Sequence, residues 1–278
     1  MFNLTSLVNE FESCPFCDSK DIKKNGHSHS HQRYYCKHCH KSFTSRTNTI
    51  LNSSKLKPRQ LKLILSLLLD QTLISIVAHQ AHVSIQTAVL WKRKIQKLTK
   101  SKEKIKLSGT VYVDETFINV PVDQRSKVKK RGLSKNKLQI AVAVDNNGHC
   151  FATVNGRGRA SNKDSEHIFT DIVESGSVVY HDMGYYGKAF NHCVEHIINS
   201  SEAKTHDTLN PINRFCNEVQ RIFTVHLRIR PYHIQDYLDE LCFRHHNGYQ
   251  NFDKYKSFVY EKIFTSSICL KRKDLCRK

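Results

Sequence analysis

The chain has 278 residues, 39% hydrophobic and 25% charged. That is globular composition, with length for one sizeable core domain plus small modules, and it excludes a wholly disordered chain. Lys and Arg number 44 against 25 Asp and Glu, a formal net charge of +19; a surplus of that size costs self-repulsion unless a polyanion meets it, so nucleic acid is the first partner to consider and an anionic membrane surface the second.

The N-terminal "MFNLTSLVNEFESC" lacks a basic stretch followed by a long apolar run, so no secretory signal is read there. Without one, the ten cysteines read as reduced thiols of a cytoplasmic protein. Four of them stand as Cys14-x2-Cys17 and Cys36-x2-Cys39. Each pair can set two sulfurs on one side of a tight turn, and two such knuckles close a four-thiolate site that suits structural Zn2+. The segment between them predicts a β-ribbon, with a turn at Asn25-Gly26 and strand-forming Tyr34-Tyr35. About forty residues build little core, so the metal would supply the folding energy. His27, His29, His31, His38 and His40 read as solvated or phosphate-facing.

Residues 55–100 carry the strongest helical pattern. Pro58 can open a helix, and Leu61, Ile64, Leu65, Leu68 and Leu69 recur at helical spacing. The run "LKLILSLLLD" is far shorter than the roughly 20 residues that cross a bilayer, and no membrane partner is expected. A short second helix spans about Leu73 to Gln80, and Ser84 is placed as the N-cap of a third, about Ile85 to Leu98. The third helix is expected to bury Ile85, Val89 and Trp91 and to present Lys92, Arg93, Lys94 and Lys97. Short helix, tight turn and basic helix is the helix-turn-helix plan. Gln86, Thr87 and Lys92 are then candidates for base edges, with Arg93 and Lys94 beside them.

From Thr110 the pattern turns to α/β. "TVYVDETFI" predicts a buried strand ending in Asp114-Glu115, and "KLQIAVAVD" a second that turns at Asn146-Asn147-Gly148 into a third. A helix of about Ser161 to Val173 and a buried strand, Ser177 to His181, follow, the strand ending in Asp182. Asp145 reads as a hairpin residue. If the strands of Asp114 and Asp182 are neighbours, their carboxylates lie side by side and repel unless a cation sits between them. Hard divalent cations do that, and a pair of them serves phosphodiester chemistry, so Mg2+ or Mn2+ is expected.

In this order the parts resemble the zinc-ribbon insertion-sequence transposases of bacteria, over nearly the whole chain. "CPFC…YYCKHCHKSF" is similar to their ribbon and "SIQTAVLWKRKI" to their helix-turn-helix. "VYVDETF", "VNGRGRAS" and "VVYHDMGYYG" are similar to their catalytic core, and "LNPINRFCNEVQRIF…YHIQDYLDELCFRHH" to the closing helices. The resemblance implies an α/β catalytic domain of RNase H-like fold with a mixed sheet, behind a zinc β-ribbon and a helix-turn-helix. It implies a DDE-type, metal-dependent DNA transposase that acts on double-stranded DNA, both element ends and target. Asp114 and Asp182 would hold the metal. Many relatives carry Glu at the third ligand position and a subset carries Asn; aligning "NPIN" puts Asn213 there, while Glu218 is a competing carboxylate at a suitable distance from Asp182. A family Lys falls on Gln220, a departure that keeps open an inactive, DNA-binding regulator.

Lys129, Lys130 and Arg131 in "RSKVKKRGLSKNK", and Arg157 and Arg159 among glycines, are candidates for phosphate contact. Tyr185 and Tyr186 are either buried or half-buried, or base-stacking. The expected domains are 10–45, 55–100, 105–250 and a basic tail, 251–278. Bringing two DNA ends together implies a homodimer or higher oligomer on DNA.

Overall fold

The computed structural model describes residues 11–28, 31–52, 54–100, 105–119, 136–158, 162–182, 186–198, 209–226, 229–247 and 252–265. Lys129, Lys130, Arg131, Arg159 and Tyr185 lie outside them. The chain divides into two compact units, residues 1–98 with 256–278, and residues 99–255.

The first unit opens with three antiparallel strands, β1 (Ile22–Ser28), β2 (His31–Cys36) and β3 (Ser42–Thr44), in that order. Asn25-Gly26 is not the hairpin turn. Lys24 pairs with Tyr34 and His27 with Gln32, so Asn25 and Gly26 together oppose Arg33 as a bulge inside β1. The same Gly that could serve a turn serves the bulge, because either needs its positive φ, here 68°. Phe11, Tyr34 and Phe43 pack with the knuckle cysteines into a small core.

Three helices follow: α1 (Pro58–Leu69), α2 (Ile74–Gln80) and α3 (Ile85–Thr99). Pro58 starts α1, whose stripe Leu61, Ile64, Leu65, Leu68 and Leu69 is buried as the spacing predicts. Ser84 Oγ accepts the Thr87 N–H at 3.2 Å and so caps α3. The buried face of α3 differs from the expected one. Ala88, Trp91, Ile95 and Leu98 are buried, while Ile85 is 57% exposed and Val89 37%. Lys92 and Lys94 are buried too. Lys94 lies over the Trp91 ring at 4.6 Å and donates to the Ile50 carbonyl. A lysine can be interior when its ammonium finds an acceptor and its stem lies along apolar surface. The outward side of α3 therefore holds Ile85, Gln86, Val89 and, partly, Arg93. Within the basic C-terminal segment a helix, α7 (Phe252–Thr265), forms, and Lys256 on it pairs with Asp70.

The second unit is built on a five-stranded sheet ordered β6-β5-β4-β7-β8. Strands β4 (Thr110–Asn119), β5 (Lys137–Asp145) and β6 (Cys150–Arg157) form an antiparallel meander; β7 (Val178–His181) and β8 (Val194–Ile197) add in parallel. Strand β5 is buried almost throughout, as its unbroken apolar run predicts. Its even positions, Leu138, Ile140, Val142 and Val144, meet α5 (Asn210–Val225) and α6 (Pro231–His246). Its odd positions, Ala141 and Ala143, meet α4 (Asn162–Ile172) and the turn that carries Tyr186 and Phe190. Asp145 ties off the β5–β6 hairpin, accepting from the Asn147 and His149 N–H groups. The mixed α/β sheet has the strand order and senses of the RNase H-like fold.

Candidate metal-dependent active site and cysteine cluster

Asp114 sits in the middle of β4 rather than at its end, because pairing with β5 continues to Asn119 opposite Lys137. It is nonetheless where the parallel ladder stops: β4 and β7 pair up to Val113 and His181, so Asp114 and Asp182 occupy the next step on adjacent strands. Alternation along β4 turns Asp114 and Thr116 to the α5 side and Glu115 to the α4 side.

The helix α5 confirms that direction. Its buried stripe is Ile212, Phe215, Cys216 and Val219. The Cys216 thiol lies 3.4 Å from Asp114 Oδ2 and donates to it; one turn later Gln220 Nε2 donates to Thr116 Oγ1 at 2.8 Å. Burial pushes the Asp114 carboxyl up to about 6, and the charge of Asp182 adds to the rise, against the Glu115 N–H and Cys216 S–H bonds that favour the ionised form. Burial raises the Cys216 thiol and the Tyr186 phenol too, and the charges of both aspartates act on each in the same direction. Tyr186 is buried under the site, which disposes of base stacking for it.

The two third-position candidates are placed differently. At 100° per residue Asn213 stands about 60° from Cys216 and about 20° from Gln220, whereas Glu218 stands about 160° from Cys216. Asn213 is exposed. Glu218 accepts from His245 Nε2 on α6 at 2.8 Å. Arg157 is exposed at the end of β6.

A polar network behind Asp114 escaped the sequence reading. Glu115 accepts from Gln139 on β5 and from Ser165 Oγ on α4 (3.0 Å), and Ser165 takes a bond from Asn155 on β6 (3.0 Å). Its sequence signal was Gln139, a lone polar residue in the apolar run of β5, which needs a partner when buried.

In the other unit, the sulfurs of Cys14, Cys17, Cys36 and Cys39 all lie within 4.8 Å of one another. Cys14–Cys39 and Cys17–Cys36 are each 3.6 Å apart. A tetrahedron with metal–sulfur bonds of about 2.3 Å has edges of about 3.8 Å, so the four residues present fit a metal. The Cys39 N–H points at the Cys36 sulfur (3.5 Å), a bond that favours thiolate. No histidine joins this group among the described residues.

Comparison with known proteins bears on the second unit. Residues 106–246 match the ISXO2-like transposase domain. A search of curated proteins gives no match. Among solved structures, the catalytic domain of Mos1 mariner transposase overlaps 78% of this chain and 98% of its own, at 11% identity and a TM-score of 0.26, too low to carry an argument. The domain match spans half of the 278 residues and takes in Asp114, Asp182, Asn213 and Glu218, and on it the chain belongs to the ISXO2-like transposases.

Proposed function

We propose that this transposase binds the terminal repeats of an insertion sequence, cleaves at their ends and joins the freed 3′-hydroxyl to target DNA in a metal-dependent reaction. The observation that carries the reading is the Asp114–Asp182 pair on neighbouring parallel strands, one step beyond Val113 and His181. Two carboxylates so placed suit a hard divalent cation, and they would hold Mg2+ or Mn2+. Such ions, when bound, supply Lewis acidity and activate an attacking oxygen. The chain's part is position. Strands β4 and β7 fix the two carboxylates, Cys216 and the Glu115 N–H orient the two oxygens of Asp114, and Gln220 pins α5 to the same strand. Asn213 is our third ligand, since it shares the side of α5 that meets β4, while Glu218 is engaged by His245. An amide oxygen brings no charge, so metal should bind more weakly than at three carboxylates.

The four-cysteine cluster is assigned structural Zn2+. Stripping the metal with a strong chelator should unfold the ribbon and abolish end binding; a protein purified without bound zinc that binds ends normally would sink that assignment. Gln86, Thr87 and Arg93 on α3 and Arg157 on β6 are assigned to DNA, with Lys129, Lys130, Arg131 and Arg159 on phosphates. The charge of +19 supports this. No helix among the described residues is long and apolar enough to cross a membrane. We place the protein in the bacterial cytoplasm, working as a homodimer or larger assembly on DNA, which light scattering of the end complex would test.

A DNA-binding regulator without activity is the second reading, favoured by an uncharged Asn213 and by Gln220 at a basic family position. Asp114→Asn separates the two. Strand transfer should fall more than about a hundredfold, beyond what loss of a mere supporting residue costs, with end binding intact. A variant that cuts like wild type would remove Asp114 from the reaction.

A further inference from the structure

We propose that Glu195 and His181 form a positioning pair that fixes the backbone at Asp182 and thereby the metal affinity of the site; the inference rests on the metal-dependent reading above. His181 is the last residue of the β7 ladder, paired with Val113 on one side and Ile197 on the other. Asp182, one residue on, is exposed and past the end of both ladders. The imidazole of His181 makes up the missing support. Its Nδ1 bonds the carbonyl oxygen of Asp182, and its Nε2 bonds Glu195 Oε1 on β8 at 2.8 Å.

The ring has no freedom to do otherwise. It is 2% exposed, edge-on to Tyr186 with centroids 4.7 Å apart, and 5.4 Å from Phe190. Aromatic packing sets its plane, Glu195 anchors its far nitrogen, and the near nitrogen grips the peptide from which the Asp182 side chain departs. A carboxylate–imidazole relay onto a ligand-bearing residue is how outer groups hold inner ones, and losing such support costs about 10–100-fold in metal affinity. Glu195 sits on the edge strand with its side chain 39% exposed, where a mere surface ion pair would contribute little stability. What the pair contributes is direction.

The test is Mn2+ binding to the full chain, read from the electron paramagnetic resonance of free ion, for wild type, Glu195→Gln, His181→Asn and Asp182→Ala. Asp182→Ala identifies the site. Glu195→Gln and His181→Asn should each weaken that site about tenfold or more. Strand transfer should then need proportionately more Mn2+ for half its maximal rate, with little change in the rate at saturation. If both variants bind Mn2+ as wild type does while Asp182→Ala does not, the positioning role is overturned. If wild type and Asp182→Ala bind alike, the metal-site reading itself falls and takes the pair with it. Glu195→Gln guards against a folding failure of the His181 variant, since Glu195 is partly exposed.

Discussion

Asp114 is held by a thiol and a backbone N–H and stands beside the like charge of Asp182, which opposes its ionisation. The consequence for the third ligand can be tested one side chain at a time. Asn213→Glu adds a charged oxygen on the side of α5 that carries Cys216 and Gln220, and should lower the Mg2+ needed for half-maximal strand transfer about tenfold. Glu218→Gln should leave that requirement unchanged and cost only stability, on the order of 1–3 kcal/mol, through the weakened bond to His245. The opposite pattern would hand the third position to Glu218. Part of this was legible beforehand: Asp114 and Asp182 stood out as acids on strands too apolar to need them. Cys216 did not. Helical counting puts it on the buried stripe with Phe215 and Val219, where a cysteine passes for a small hydrophobe. Only the meeting of that stripe with the even side of β4 gives the thiol a carboxylate partner.

Among the elements, α3 departs most from its expected orientation. In the second unit the expected limits of β5, α4 and β7 lie within a residue of those observed, helped by the unbroken apolar run of β5, whereas β4 runs past Asp114-Glu115 to Asn119 and β8 was not expected. Helix α3 interleaves apolar and basic residues, so periodicity alone allowed two faces, and the fold buries Trp91, Ile95 and Leu98 rather than Ile85 and Val89. Lys94 is thereby a structural residue. Lys94→Ala should lose about 1.5–3 kcal/mol of stability while the folded fraction binds ends normally. Gln86→Ala should spare the melting temperature and weaken end binding about tenfold. Intact stability with lost binding in Lys94→Ala would restore the basic-face picture. Helix α6 offers a pH test. Burial lowers His246 to about 4, against the backbone of Cys150, whose N–H and carbonyl both lie 3.0 Å from its Nε2. The unfolded chain takes up this proton near pH 6.5 and the folded one only near 4, so stability is full above 6.5 and is lost as pH falls between the two. His246→Gln should flatten that part of the stability–pH curve, measured by denaturant unfolding; an unchanged slope would place the titration elsewhere.

For the whole molecule, the order of parts was legible from spacing and charge: paired cysteines, a helical segment, then strands that carry two acids. What spacing could not supply was contact across distant sequence. The Glu115–Gln139–Ser165–Asn155 network and the His181–Glu195 pair each join residues from different elements; Gln139 was the network's one local signal, and it names no partner. The charge of +19 and the carboxylate pair make one joint claim: that the protein brings DNA to a site built to hold metal. Strand transfer tests it most directly. Purified protein, labelled element-end DNA and plasmid are combined with Mg2+ or Mn2+, beside an Asp182→Ala control. The account predicts joined product that needs the metal and disappears in the control. Tight end binding with no joined product under either metal, or product that survives Asp182→Ala, would contradict it.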